Sequence, residues 1–206
     1  MTKLIGICGF IGSGKDTAAD YLVNIHGFRR DSFAATLKDA VAAVFGWDRE
    51  MLEGRTQEAR EWREQVDTWW AERLAMPHLT PRWILQYWGT EVCRKGFHND
   101  IWVASVENRL RKSNKNIVLT DCRFPNEVQA MRNLGAKVVW VKRGALPDWY
   151  STALAANQGN IAAQQELVRL KIHASETSWV GTRFDFELRN DGTLDEMRSL
   201  VKVLAG

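Results

Sequence analysis

The stretch Leu4-Ile5-Gly6-Ile7-Cys8, running into Gly9-Phe10-Ile11-Gly12-Ser13-Gly14-Lys15-Asp16-Thr17, decides how this chain is read. A short apolar run before a glycine-rich turn predicts a buried strand. The pattern after the turn predicts a helix from about Lys15 to Ile25. This is the layout of a phosphate-binding loop. Glycines let the backbone curl until several N–H groups face one anion, and the helix N-terminus adds partial positive charge. Lys15 supplies a mobile full charge for the β- and γ-phosphates of a nucleotide. Gly12, Ser13, Gly14, Lys15, Asp16 and Thr17 are therefore the candidate ATP-binding residues. The usual pattern sets Ser or Thr directly after the lysine to hold Mg²⁺, whereas Asp16 stands there and Thr17 follows. A carboxylate beside a triphosphate repels it unless a cation lies between. Either Asp16 faces Mg²⁺ or its water shell, or it turns outward and Thr17 contacts phosphate.

Outward from this loop, short apolar runs alternate with helical patterns. Phe28–Phe33, Asn116–Thr120, Ala136–Val141 and Phe184–Leu188 read as strands. Thr36–Phe45 reads as a helix stopped by Gly46, and Gln57–Leu74 as one long charged helix. Thr80 and Pro81 open another, as N-cap and first helical residue. Ile101–Arg111 and Pro125–Leu134 are further helices. Thr193 and Glu196 form a capping-box pattern before a last helix with an apolar stripe of Leu194, Met197, Leu200, Val201 and Leu204. Alternating strands and helices predict an α/β fold of three layers, a mostly parallel sheet with helices on both faces. We expect one domain over 1–206. Within it, 46–115 forms a helical substrate-binding region and 144–180, with helix-like sequence over Ala153–Leu170, a lid or insertion.

The 206 residues are 45% hydrophobic and 26% charged, which suits a globular core and excludes a disordered or collagen-like chain. A net charge of +3 permits anionic ligands without predicting a stable nucleic-acid partner. No apolar run nears the roughly 18 to 20 residues of a membrane-spanning helix. Cys8, Cys93 and Cys122 are too few and too scattered for a disulfide framework, and Cys8 reads as a buried thiol. The apolar stretch Leu4–Ile11 is short and broken by glycines, unlike a secretory signal, so the cytoplasm is expected.

A phosphate-binding loop alone does not choose between kinases, GTPases and motors. No Asn-Lys-x-Asp signature of guanine recognition is present. Asp121, after an apolar strand, suits a carboxylate near a metal, or else caps the helix before Pro125. A basic group consists of Lys38, Arg60, Arg82 and Arg123. Arg82, Gln86, Gly89 and Thr90 fall at helical spacing and predict one face with a cation, an amide and a close-approach glycine. Together these suit an acceptor-phosphate clamp. Of the ten tryptophans, Trp62, Trp69 and Trp70 read as packing, and Trp88 does too. Trp102 reads equally as packing or as a surface for a base. His98 and His173 have no metal-like spacing.

At this point the chain resembles the phage-type deoxynucleoside monophosphate kinases, a branch of the P-loop kinases. The matching segments are Ser13-Gly14-Lys15-Asp16-Thr17, Leu37-Lys38-Asp39-Ala40, Glu53-Gly54 leading to Arg60, and Arg82 with Leu85-Gln86. Trp88-Gly89-Thr90-Glu91, Asp100-Ile101-Trp102-Val103, Thr120-Asp121-Cys122-Arg123, Gly135-Ala136-Lys137-Val138 and Val141-Lys142-Arg143 follow. His173-Ala174-Ser175-Glu176 and Asn190-Asp191-Gly192-Thr193-Leu194 complete the set. The Lys-Asp-Thr form of the loop belongs to that family's pattern.

The resemblance implies phosphoryl transfer from Mg-ATP to the 5′-phosphate of a deoxynucleotide. Lys15, Arg123, Arg82 and Lys38 would be catalytic. Lys38, Arg60, Arg82, Gln86, Gly89, Thr90, Trp102 and Arg123 would bind the acceptor, and Asp16, Thr17 and Asp121 would serve Mg²⁺. Arg143 and Arg169 are candidates for a lid arginine. The partners expected are ATP and a deoxynucleotide, with no membrane, in the host cytoplasm if a phage encodes the chain. A homodimer stays open. The alternatives are a ribonucleoside monophosphate kinase, a dephospho-coenzyme A kinase, a kinase of modified bases in DNA, and a non-enzymatic nucleotide-binding protein.

Overall fold

The computed structural model describes residues 2–206. The chain divides into two compact units, Met1–Phe33 with Glu107–Gly206, and Ala34–Val106.

The first unit is built on five parallel strands in the order β2-β3-β1-β4-β5: β1 (Leu4–Cys8), β2 (Arg29–Asp31), β3 (Ile117–Leu119), β4 (Lys137–Lys142) and β5 (Phe186–Arg189). All five strand predictions hold, with ends that differ by no more than two residues. The central strand β1 is apolar throughout because it is covered on both faces. Ile5 and Ile7 enter one core cluster with Ala18, Ala19 and Leu22 of α1 (Lys15–His26) and with Met197, Val201 and Leu204 of α12 (Leu194–Ala205). The intervening Gly6 faces the other way. A Cβ there would lie 2.9 Å from the Cys122 sulfur and 3.4 Å from Met131 of α8 (Pro125–Asn133). Helices thus cover both faces of the sheet, as expected. The stripe on α12 is narrower than predicted. Leu194 and Leu200 remain exposed, because the helix turns Met197, Val201 and Leu204 to the core instead.

Between β4 and β5 lie α9 (Tyr150–Asn157), α10 (Ile161–Arg169) and α11 (Ala174–Thr177). The single run read from Ala153 to Leu170 is two helices, because Asn160 caps the second one. Ala153, Ala156, Leu167 and Val180 form their own small core, and Phe10 of the glycine-rich loop packs on it. The Phe10 ring meets Trp149, Tyr150 and Trp179 at centroid distances of 5.4, 6.2 and 4.6 Å.

The second unit is helical: α2 (Ala35–Phe45), α3 (Arg49–Glu53), α4 (Gln57–Glu64), α5 (Thr68–Arg73), α6 (Pro81–Gln86), a π-helical segment Tyr87–Lys95, and most of α7 (Ile101–Leu110). The predicted long helix over 57–74 breaks at Gln65. Asp67 stops it, since its carboxylate accepts from Trp70 N as the N-cap of α5 and from Trp47 Nε1 at 2.8 Å. The break resets the helical phase, so Trp69 is 62% exposed while Trp62 and Trp70 pack on the core. That core of Leu37, Val41, Phe45, Trp47 and Leu52 also takes Trp83, Trp88 and Trp102. Most of the tryptophan excess is packing, as read.

Candidate active site

Because the sheet is parallel, every strand delivers its C-terminal end to one edge, where ligands gather in such folds. The glycine-rich loop leaves central β1 at that edge. Gly9, Gly12 and Gly14 all carry positive φ, +151°, +78° and +97°. A Cβ on Gly9 would lie 2.5 Å from the Val141 carbonyl. The loop is closed by Ser13 N–H to the Phe10 carbonyl at 3.2 Å, and Gly14 caps α1. Ser13 is only 4% exposed, and its hydroxyl has no protein partner.

Lys15 Nζ donates to the Phe10 carbonyl at 2.6 Å. Its pKa falls to about 8, first through burial and then through the Arg123 guanidinium, against partial support from Asp16 and Glu176. Those four groups therefore share one field at the strand ends. Arg123 is ion-paired with Glu176 of α11. Burial works against the Arg123 charge, but Glu176, Asp121 and Glu127 outweigh it and raise its pKa. The Asp-x-Arg and His-Ala-Ser-Glu segments, 53 residues apart, thus meet side chain to side chain. No local sequence pattern assigns Glu176 a role. The ion pair exists only because α9 to α11 return to the loop. His173 caps α11, accepting from Ser175 N.

Asp16 turns toward β2. Its carboxylate pairs with Arg30 at 3.1 Å, and the same guanidinium reaches the Asp16 carbonyl and Asp20. Thr17 is exposed at the start of α1. Asp121 accepts from Phe33 N at 2.8 Å. It does not cap α8, the alternative weighed above. Phe124 is the cap, and Glu127 accepts from both Arg123 N and Phe124 N. Mg²⁺ takes oxygen ligands and commonly uses one or two protein oxygens beside phosphates and water. Asp16, Thr17 and Asp121 offer oxygens of that kind, and at least Thr17 and Asp16 stand open to solvent beside the loop. The donor set fits an ion delivered with the nucleotide. Of the three, Asp16 already has a cationic partner in Arg30.

The second unit carries the remaining candidates. Lys38 on α2 pairs with Glu53 at 2.6 Å, and Arg49 meets the other oxygen of Glu53. Burial alone would raise the Glu53 carboxyl, but Lys38 and Arg49 outweigh it and hold it down to about 2. Arg82 pairs with Glu64 at 3.1 Å. Arg60 donates to the Arg55 carbonyl and to Gln57. The proposed helical face of Arg82, Gln86, Gly89 and Thr90 needs correction. The α-helix ends at Gln86, and a π-helix with its wider i→i+5 period begins at Tyr87, so four-and-three spacing does not carry to Gly89 and Thr90. Both of those are buried. Gly89 does approach closely, but to protein: a Cβ there would lie 2.9 Å from a Leu37 methyl, and its carbonyl accepts from Trp102 Nε1 at 2.9 Å. Lid candidates Arg143 and Arg169 are exposed, and Arg169 pairs with Glu166. Among the described residues, no three His, Cys, Asp or Glu side chains gather as a metal cage. No described helix is long and apolar enough to cross a membrane. Cys8 and Cys122 are buried, free thiols, as read for Cys8.

A parallel α/β sheet with this loop, lysine and half-buried arginine at its C-terminal edge defines a P-loop phosphotransferase. Comparison with known proteins narrows the class. The family model of deoxynucleotide monophosphate kinase matches residues 77–152, the stretch from Arg82 through Asp121 and Arg123. A chain of Acanthamoeba polyphaga mimivirus, provisionally assigned as a deoxynucleotide monophosphate kinase, is 34% identical over 152 residues, covering 68% of this chain and 74% of its own. The deoxynucleoside-5′-monophosphate kinase of Escherichia phage T5 is 28% identical over 181 residues, covering 64% and 72%. Among solved structures, dephospho-CoA kinase from Campylobacter jejuni aligns with a TM-score of 0.44 at 16% identity, over 98% of this chain and 95% of that one. The chain belongs to the deoxynucleotide monophosphate kinase family and is a phosphotransferase.

Proposed function

We propose that this chain transfers the γ-phosphoryl group of ATP to the 5′-phosphate of a deoxynucleoside monophosphate. The products are ADP and the deoxynucleoside diphosphate. The observation that carries this reading is that the Gly9–Lys15 loop and the half-buried Arg123, held by Glu176, meet at the C-terminal edge of the sheet, where the Arg123 charge acts on Lys15. In the reaction, the bond from the γ-phosphorus to the β,γ-bridging oxygen breaks. A new bond forms to an oxygen of the acceptor phosphate, and ADP leaves. The acceptor is already anionic, so no strong general base is required, and catalysis rests on positioning and charge neutralisation.

Lys15 and the loop amides bind the donor phosphates. Arg123, held by Glu176, neutralises charge on the transferred group. Lys38, Arg60 and Arg82 supply cations for the acceptor phosphate, and Gln86 lies on the same helix as Arg82 for the nucleoside side. A bound Mg²⁺ would supply charge neutralisation to the donor phosphates. Asp16, Thr17 and Asp121 would hold it, Asp16 having Arg30 as a partner and Asp121 the Phe33 N–H.

The test is ADP release from Mg-ATP against dAMP, dGMP, dCMP, dTMP, dUMP, 5-hydroxymethyl-dCMP and the four ribonucleotides. Release dependent on one or a few deoxynucleotides is expected and also defines the base specificity. Folded protein that binds ATP yet releases ADP with none of them overturns the acceptor assignment.

A further inference from the structure

The turn after β5 reaches back to the phosphate loop. Asn190 Nδ2 donates to the carbonyl of Ser13 at 2.9 Å, joining positions 177 residues apart. Only the amide nitrogen suits that contact, since the amide oxygen would face another acceptor. The turn is itself braced. Asn190 N donates to the Lys142 carbonyl at 2.8 Å, Asp191 accepts from Gly144 N at 2.6 Å, and the Thr193–Glu196 capping box starts α12. A Cβ on Gly14 would collide with the Asn190 amide, so the side chain lies directly against the loop backbone.

We propose that Asn190 is a positioning residue that sets the Ser13–Gly14 peptide for phosphate binding. The inference rests on the reading of Gly9–Lys15 as the donor-phosphate loop. In a trans peptide, the carbonyl of one residue and the N–H of the next point in opposite directions. Holding the Ser13 carbonyl toward Asn190 turns the Gly14 N–H to the other side, where it can meet an anion. A glycine rotates easily at that joint, and Gly14 sits at φ +97°. Without the tether, the peptide can turn over and present its carbonyl to the phosphates, which repels them. The bond is made to the Ser13 main chain, while the Ser13 hydroxyl is left without a partner. What Asn190 secures is therefore the peptide's orientation rather than the serine side chain. Preorganised donors gain affinity by avoiding rearrangement on binding.

The experiment measures binding of ATP, inorganic tripolyphosphate and adenosine to the wild-type chain, Asn190→Ala, Asn190→Leu and Lys15→Ala, with melting curves for each. Both Asn190 variants are expected to bind ATP and tripolyphosphate about five- to tenfold more weakly, as for one lost hydrogen bond. Adenosine affinity stays unchanged, KM for ATP rises, and KM for the deoxynucleotide does not. A role confined to stability would move the melting curve and leave tripolyphosphate binding alone. Should Asn190→Leu crowd Gly14 and unfold, Asn190→Ala carries the test. Wild-type tripolyphosphate affinity in a folded Asn190 variant overturns the proposal. If Lys15→Ala loses tripolyphosphate while Asn190→Ala keeps it, only the role of Asn190 falls. If Lys15→Ala keeps it as well, the loop reading falls too.

Discussion

Replacing Lys15 with methionine should stabilise the nucleotide-free protein at neutral pH while abolishing transfer. The ammonium is buried beside Arg123, and its pKa drops from the ordinary 10.5 to about 8. That drop corresponds to roughly 3 kcal/mol of penalty on the charged form in the folded state. Methionine keeps the length of the side chain but gives up the bond to the Phe10 carbonyl, about 1 kcal/mol. The net expectation is about 2 kcal/mol, or roughly 4–8 °C in Tm for a chain of this size. The sign of its pH dependence follows from proton counting. Below pH 8 both folded and unfolded chains hold the lysine proton, and the folded state bears the full penalty. Between pH 8 and 10.5 the unfolded chain binds more proton, so the wild type gains stability as pH rises and the variant's advantage fades. Paired melts of wild type and Lys15→Met at pH 7, 8.5 and 10, without nucleotide, measure this. A variant melting below wild type at pH 7, or a gap unchanged across the series, would refute the buried-charge argument. Added ATP should reverse the ranking, because only the wild type gains from binding it.

Arg123→Ala should lower kcat by orders of magnitude and damage ATP binding less, since it also removes the neighbour that depresses Lys15; unchanged turnover in steady-state assays excludes Arg123 from the site. Glu176→Gln should shift the alkaline limb of the kcat/KM profile for ATP to lower pH, because Lys15 then faces an unbalanced Arg123; a limb at the wild-type position rules out that coupling. Glu53 is depressed from 4.5 to about 2, so its pairing stabilises the fold above pH 4.5 and is lost as pH falls toward 2. Wild type should lose about 2 kcal/mol more than Glu53→Gln across that window, and parallel acid-unfolding curves would contradict it. Gly14→Ala should cost about 1–3 kcal/mol, from positive φ and collision with Asn190; a near-wild-type chemical denaturation midpoint would show that the loop has room to spare.

The outline of the first unit was legible because its signals are local. A continuous apolar run marks a strand covered on both faces, and three spaced glycines before a lysine mark an anion-binding turn. Gly46, Thr80-Pro81 and the Thr193–Glu196 box likewise bound their helices where local capping chemistry puts them. The break at Gln65 was not legible, since it depends on Asp67 meeting a tryptophan 20 residues earlier. Nor was the π segment, whose wider turn no residue pattern announced and which moved Gly89 and Thr90 out of the expected register.

Sequence by itself determined the candidate residue types: the loop with Lys15, the Asp121-x-Arg123 pair at a strand end and, separately, the cations of the helical unit. Tertiary structure decided their partners. Arg123 meets Glu176, Asp16 meets Arg30, Lys38 meets Glu53, and Asn190 reaches Ser13. The physical reason is range. Backbone propensity and capping act within a few residues, whereas a charge or an amide bonds whichever group the folded sheet brings within about 3 Å, however distant along the chain.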